Sequence, residues 1–98
     1  MALTLTARER SHLKARAHSL EPSVFVGHGG LTDGVAAEID RALKARELIK
    51  VKILADRDAR DEIAEAICTR TESAIVQQVG KVVVLWRPKP DEPASGAK

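Results

Sequence analysis

The residues with the most to offer chemically are Gly27-His28-Gly29-Gly30, followed directly by Leu31 and Thr32. Three glycines in four positions let a backbone approach a ligand closely and adopt positive φ. Thr32 is suited to cap a helix, and Asp33 suits its first turn. The first N–H groups of a helix lack intrahelical partners and carry partial positive charge. A glycine loop leading into a helix start is therefore a seat for phosphate or another anion. The competing reading is that the glycines only make a turn. Spacing narrows the choice of ligand. A nucleotide P-loop needs Lys and Ser/Thr after its last glycine, but Val35 and Ala36 follow Gly34. A dinucleotide fingerprint needs a third glycine where Thr32 stands. A short GxxG that clamps a nucleic-acid backbone, as in KH modules, needs neither pattern. His28, inside the loop, is a candidate contact to the same ligand.

Other reactive side chains form no constellation. His12 and His18 are six apart, not at the i, i+4 spacing of a helical metal site. No second cysteine or paired carboxylate joins them, so no metal and no cofactor is expected. Cys68 reads as a small buried hydrophobe, without a base beside it to make it a nucleophile. Asp58, Asp61, Glu62 and Glu65 read as an exposed acidic helix face rather than a catalytic pair. An enzyme acting on a phosphorylated small molecule is thus disfavoured. The basic residues divide in two. Arg10, Lys14 and Arg16, with Lys50 and Lys52, are candidates for phosphate contacts. Arg41, Lys44 and Arg46 lie toward the end of a helix, where they complement its dipole.

These residues need elements to position them. Thr6 and Glu9 form a capping-box pair, and Leu13, Ala17 and Leu20 follow at helical spacing. Arg8, His12 and Arg16 flank one side of that stripe; Arg10, Lys14 and His18 flank the other. Pro22 stops the helix at or before Glu21. Val24 to Val26 form a short β-prone run. Val35, Ile39 and Leu43 predict a second helix to about Arg46, its entry stapled by Leu31 and Ala36. Over 48–54, Ile49, Val51 and Ile53 alternate with Lys50 and Lys52, which predicts a strand with one buried face. Asp56 opens a third helix carrying Ala59, Ile63 and Ile67. Residues 74–79 and 82–87 predict a hairpin closed by Gly80-Lys81, with glycine where a type II′ turn requires it. The order is α-β-α-β-α-β-β. Strand-helix-strand units with short loops favour parallel neighbours. The expected architecture is an α/β fold, a small mixed four-stranded sheet packed with three helices.

The chain has 98 residues, 44% hydrophobic and 31% charged, which suits one globular domain. That domain is expected over residues 1–87. Pro88, Pro90, Pro93 and Gly96 predict a disordered tail over 88–98. The longest apolar run, Val82 to Trp86, is far below the roughly twenty residues of a bilayer span. No secretory signal develops before Arg8, and a lone cysteine suits a reducing compartment, so the expected location is the cytoplasm. The net charge of +2 hides a basic stretch over 1–54 and an acidic one over 55–73. A basic surface suggests a polyanion partner. Phe25 and Trp86, the only aromatics, are too few for the two- or three-residue stacking platform of an RRM-type reader.

Several segments together resemble a known family. They are Leu5-Thr6, Leu13, Ala17-His18-Ser19-Leu20-Glu21-Pro22, Val26-Gly27-His28-Gly29-Gly30-Leu31-Thr32, Glu47-Leu48-Ile49-Lys50-Val51-Lys52, and Val79 to Arg87. In this order they are similar to the CRM domain, and above all to its stand-alone bacterial form, the YhbY-like RNA-binding proteins. The resemblance covers about residues 3–87. It implies a fold akin to the C-terminal domain of a bacterial translation initiation factor, with a KH-like GxxG loop. It implies a non-catalytic monomer that binds ribosomal RNA or precursors of the large (50S) ribosomal subunit during ribosome assembly. No membrane and no small-molecule substrate is implied. Gly27 to Gly30 carry over as the RNA contact, with Leu31 and Thr32 behind them. The pair His28-Gly29 departs from the family, many of whose members place Lys or Arg between the outer loop glycines. An unperturbed histidine is mostly uncharged at neutral pH, so one phosphate contact is expected to be weaker or conditional on pH. The alternative is a protein-interaction domain using the acidic third helix or an open sheet face.

Overall fold

In the computed structural model, residues 5–27 and 29–88 are described. His28 and most of the expected tail lie outside them. Three helices are present: α1 (Ala7–Ala17), α2 (Asp33–Arg46) and α3 (Arg57–Thr71). They alternate with four strands: β1 (Pro22–Val26), β2 (Leu48–Ile53), β3 (Ala74–Val79) and β4 (Val82–Trp86). Each helix starts where a side chain takes up an orphan amide. Thr6 accepts from the Glu9 amide while Glu9 reaches back to the Thr6 amide. Thr32 accepts from Val35, and Asp56 from Ala59. Helix α1 ends at Ala17, before the proline forces it to, and β1 starts at Pro22 itself.

The sheet order is β1-β2-β4-β3. Strand β1 is parallel to β2, as its short α2 crossover favours. The second strand-helix-strand unit is split: β4 lies between β2 and β3 and is antiparallel to both. Composition explains this. Val82 to Trp86 is apolar on both faces and fits an interior position. β3 ends in Gln77, Gln78 and Val79, exposed or half-exposed, and fits an edge. Gly80 turns the hairpin with φ +56°, while Lys81 keeps negative φ, as a II′ turn requires.

The two faces carry separate cores. On one, Val24, Val26, Ile49, Val51, Ile53, Val83 and Leu85 pack beneath Ile39, Leu43, Ala64 and Ile67 of α2 and α3. On the other, Leu48, Val76 and Val84 meet Leu13 and Ala17 of α1, with Leu5, Leu20 and Trp86 at the margin. One helix does not span four strands, and among the described residues Phe25 and Val79 on this second face stay exposed.

Both edge strands carry an irregularity. Between Pro22 and Val24 the pairing to β2 slips by one residue. Between Ile75 and Gln77 the pairing to β4 does the same, which makes Val76 the extra residue of a bulge.

Candidate functional site

The glycine loop leaves the C-terminal end of β1. Its Gly30 N–H donates to the Gly27 carbonyl at 3.0 Å, closing a tight turn, and Gly30 has φ +78°. Among the described residues, nothing lies within 4 Å of where a Cβ would stand on Gly27, Gly29 or Gly30. The glycines are therefore not required by crowding within the protein. What they leave is an open approach to the backbone. Leu31 anchors the far side by packing on the α2/α3 core. Thr32 is exposed at the helix cap.

The amide inventory is smaller than a bare helix start suggests. Gly30 donates within the turn, Val35 donates to the Thr32 hydroxyl at 3.2 Å, and Ala36 to the Thr32 carbonyl. The amides of Gly29, Leu31, Asp33 and Gly34 have no partner among the described residues. These are the donors the loop can present to an anion. Asp33 beside them is held by Arg70 of α3, which offsets its negative charge.

The Gly80-Lys81 turn lies at the same end of the sheet. Leu54 N–H donates to the Val26 carbonyl and Ile53 N–H to the Lys81 carbonyl, at 2.8 and 2.7 Å. Loop and turn are thus separated by one intervening strand, about 10 Å.

The predicted basic residues separate into three groups. Lys14 and Lys50 come together: both line a groove of about 410 Å³ beside the C-terminal half of α1, with His18, Gln77, Val79 and Val82. Lys52 is on the same face one pair nearer the loop, with Phe25 on one side and Val82 on the other. Arg16 is on the far flank of α1, lining a second depression with Glu9, His12, Glu47 and Trp86. Arg10 is engaged within the fold. Its Nη1 donates to the Ile75 and Val76 carbonyls at 2.6 and 3.0 Å. Those carbonyls sit in the β3 bulge, and Arg10 satisfies what the interrupted ladder leaves open. Through that nitrogen it braces α1 to the sheet.

Sequence reasoning misses two residues near the groove. By spacing alone His18 is only a flank of the helix, and Phe25 only part of a β-prone run. The signal for Phe25 is present in the alternation. Val24 and Val26 are buried under α2 and α3, so the residue between them must face the other way.

Arg87, at the end of β4, is a structural tie of the covered side. Its guanidinium donates to the Asp40 carboxylate at 2.7 Å, to the Asp40 carbonyl and to the Thr71 carbonyl. Its own amide donates to the Glu47 carbonyl. The guanidinium holds the Asp40 carboxyl below the usual carboxylate range, against the opposing effect of burial. Burial pushes the Cys68 thiol up, which favours its protonated form near neutral pH. Asp58, Asp61, Glu62 and Glu65 are exposed on α3, with Asp61 accepting from Gln78. No cluster able to hold a metal ion is present among the described residues, and none of their helices is long and apolar enough to cross a membrane.

This arrangement has known counterparts. Residues 5–87 match the sequence profile of the CRS1/YhbY (CRM) domain. The chain belongs to that family. Among CRM proteins it is 48% identical over 86 residues to an RNA-binding protein of Haemophilus influenzae, covering 87% of each chain. It is 41% identical to a Pseudomonas aeruginosa protein named as a probable RNA-binding protein, covering 92% of this chain and 89% of that one. The solution structure of a Staphylococcus aureus protein, described there as a hypothetical protein and a candidate for RNA binding, superposes with TM-score 0.79 at 33% identity. That superposition covers 93% of this chain and 96% of the other. The mixed α/β architecture is therefore the CRM fold.

Proposed function

We propose that this protein binds RNA without catalysis, through the Gly27–Gly30 loop and the basic side of α1, and acts in assembly of the large ribosomal subunit. One observation carries the reading. An open glycine turn with spare amides stands at the same end of a sheet face whose groove offers Lys14 and Lys50 and no carboxylate. The names of the relatives support the RNA part of it. The loop amides and lysines hold phosphates, so binding follows charge and backbone shape more than base identity. The rest of the footprint comes from Lys52 beside the groove and Arg16 on the far flank.

The test is a titration of ribosomal RNA fragments at rising salt. For about 4–6 phosphates on a single strand the log–log slope is about −3 to −4. A salt-insensitive titration overturns the reading. The double variant His28→Asp, Gly29→Asp places charge against the expected phosphate. Gly29 has room for the new side chain and no positive φ, so the fold should survive. Loss of binding with an unchanged circular dichroism spectrum is the expected result. For the assembly role, the tagged protein is followed across a ribosome gradient. Enrichment with 50S precursors is expected; a position only at the top of the gradient counts against it. The exposed carboxylates of α3 favour a second reading, a protein contact. In that case charge reversal at Asp61 and Glu65 disrupts assembly while changes at Lys14 and Arg16 do not.

A further inference from the structure

The uncovered half of the α1-side face contains a feature that phosphate binding does not use. Phe25 is 56% exposed and Val79 60%, the two large hydrophobic side chains that stand out to solvent among the described residues. They are not scattered. Strand pairing sets Phe25 beside Lys52, Lys52 beside Val82, and Val82 beside Val79. One row across all four strands thus reads Phe25, Lys52, Val82, Val79, on the face that α1 leaves open. The ring of Phe25 forgoes the burial that Val24 and Val26 obtain on either side of it. The next row holds Lys50 and Gln77 in the groove, with Lys14 and His18 above them. Lysine ammonium groups therefore stand on the face beside an aromatic ring, and no groove-lining residue is a carboxylate.

We propose that this row receives one unstacked base of a single-stranded nucleic acid, with the Phe25 ring as its seat and Lys52, Lys50 and Lys14 on the adjoining phosphates. The proposal rests on the RNA-binding reading and adds strand selectivity to it. Phe25 precedes Gly27 by two residues, at most about 7 Å of extended chain. A strand whose phosphate is held by the loop can therefore lay the neighbouring base on the ring. Charge selects the occupant: an apolar protein segment leaves three lysines unanswered, whereas a single strand answers both the lysines and the ring. A duplex keeps its bases stacked inside and has none to offer.

The test compares a labelled single-stranded 12-mer of uridine with a 12-base-pair RNA duplex, by fluorescence anisotropy at one fixed salt concentration. Phe25→Ala is expected to weaken the single strand about fivefold or more, the lower end for a lost base–aromatic stack. Duplex affinity should stay within twofold. Phe25→Leu, which keeps an apolar side chain and removes the ring face, should resemble Phe25→Ala. Phe25→Trp should bind at least as well as wild type, with emission quenched by the single strand beyond any response of Trp86. Exposure of residue 25 predicts that all three variants fold, and their urea midpoints check this. Unchanged single-strand affinity in Phe25→Ala, or equal loss on both ligands, overturns the platform. The two readings fail differently. If Gly29→Asp abolishes binding while Phe25 is indifferent, the platform alone is wrong. If wild type binds neither RNA, both readings fall.

Discussion

The two faces of the sheet use the same strands for opposite ends. Under α2 and α3, Ile39, Leu43, Ile67, Val83 and Leu85 are fully enclosed, and all the ion pairs among the described residues lie on these helices: Asp40 with Arg87 and Lys44, Asp33 with Arg70. On the α1 side the core is smaller, the face is half open, and Lys14, Lys50 and Lys52 have no salt-bridge partner among the described residues. Paired charge next to a complete core serves the fold. Unpaired charge of one sign next to an open face attracts a ligand of opposite sign. Substitutions under α2 and α3 should therefore register as stability, and those on the α1 side as binding.

That division is open to experiment. Leu43→Ala, in the enclosed core, should cost about 2–5 kcal/mol in urea unfolding. RNA affinity of the molecules still folded should be unchanged; a large affinity loss would mean the faces are coupled. Arg87→Ala leaves the Asp40 carboxylate and Thr71 carbonyl short of a donor and should cost about 1–3 kcal/mol. Its pH dependence supplies a second check. The Asp40 carboxyl is lowered from its ordinary 3.8 in the folded protein. That contribution is fully present above pH 3.8 and is lost as pH falls through the folded value. The gap between wild type and Arg87→Ala should therefore narrow on acid titration, and a constant gap would remove the ion pair from the account.

On the open face the effects should invert. Lys14→Glu with Lys50→Glu should weaken RNA binding about tenfold or more and flatten the salt slope by about 0.7 for each phosphate no longer held. Its unfolding free energy should change by only about 0.5 kcal/mol. The smallest effect belongs to Asp58→Lys on α3, expected within about 0.5 kcal/mol in stability and without loss of RNA affinity. A marked loss of affinity there would move the binding surface to the other side of the molecule.

Much of the fold is readable because its signals are local. Thr6, Thr32 and Asp56 each cap the helix their spacing announces, and the lysine alternation of β2 assigns its faces. The insertion of β4 between β2 and β3 is not readable, since it is decided by which strand has two apolar faces once the sheet is assembled. Helix ends are also obscure. Glu47 and Glu72 take positive φ at the ends of α2 and α3, where glycine would have marked the stop. The candidate site is legible as residue types and less so as geometry. Lys14 and Lys50 share a groove that no sequence spacing reveals, and Arg10 differs from Lys14 only through a bulge 65 residues away in the chain. Phe25 is within reach, because alternation alone assigns its face.

The engagement of Arg10 with the Ile75 and Val76 carbonyls has an outcome beyond bracing α1. β3 is an outermost strand, and backbone acceptors along such a border recruit passing chains into intermolecular ribbons. Here two of them are occupied from within, by a bulky cation that also keeps an incoming strand at a distance. Two acceptors of that border are thereby withdrawn from strand pairing, by a residue that composition alone would assign to its ligand.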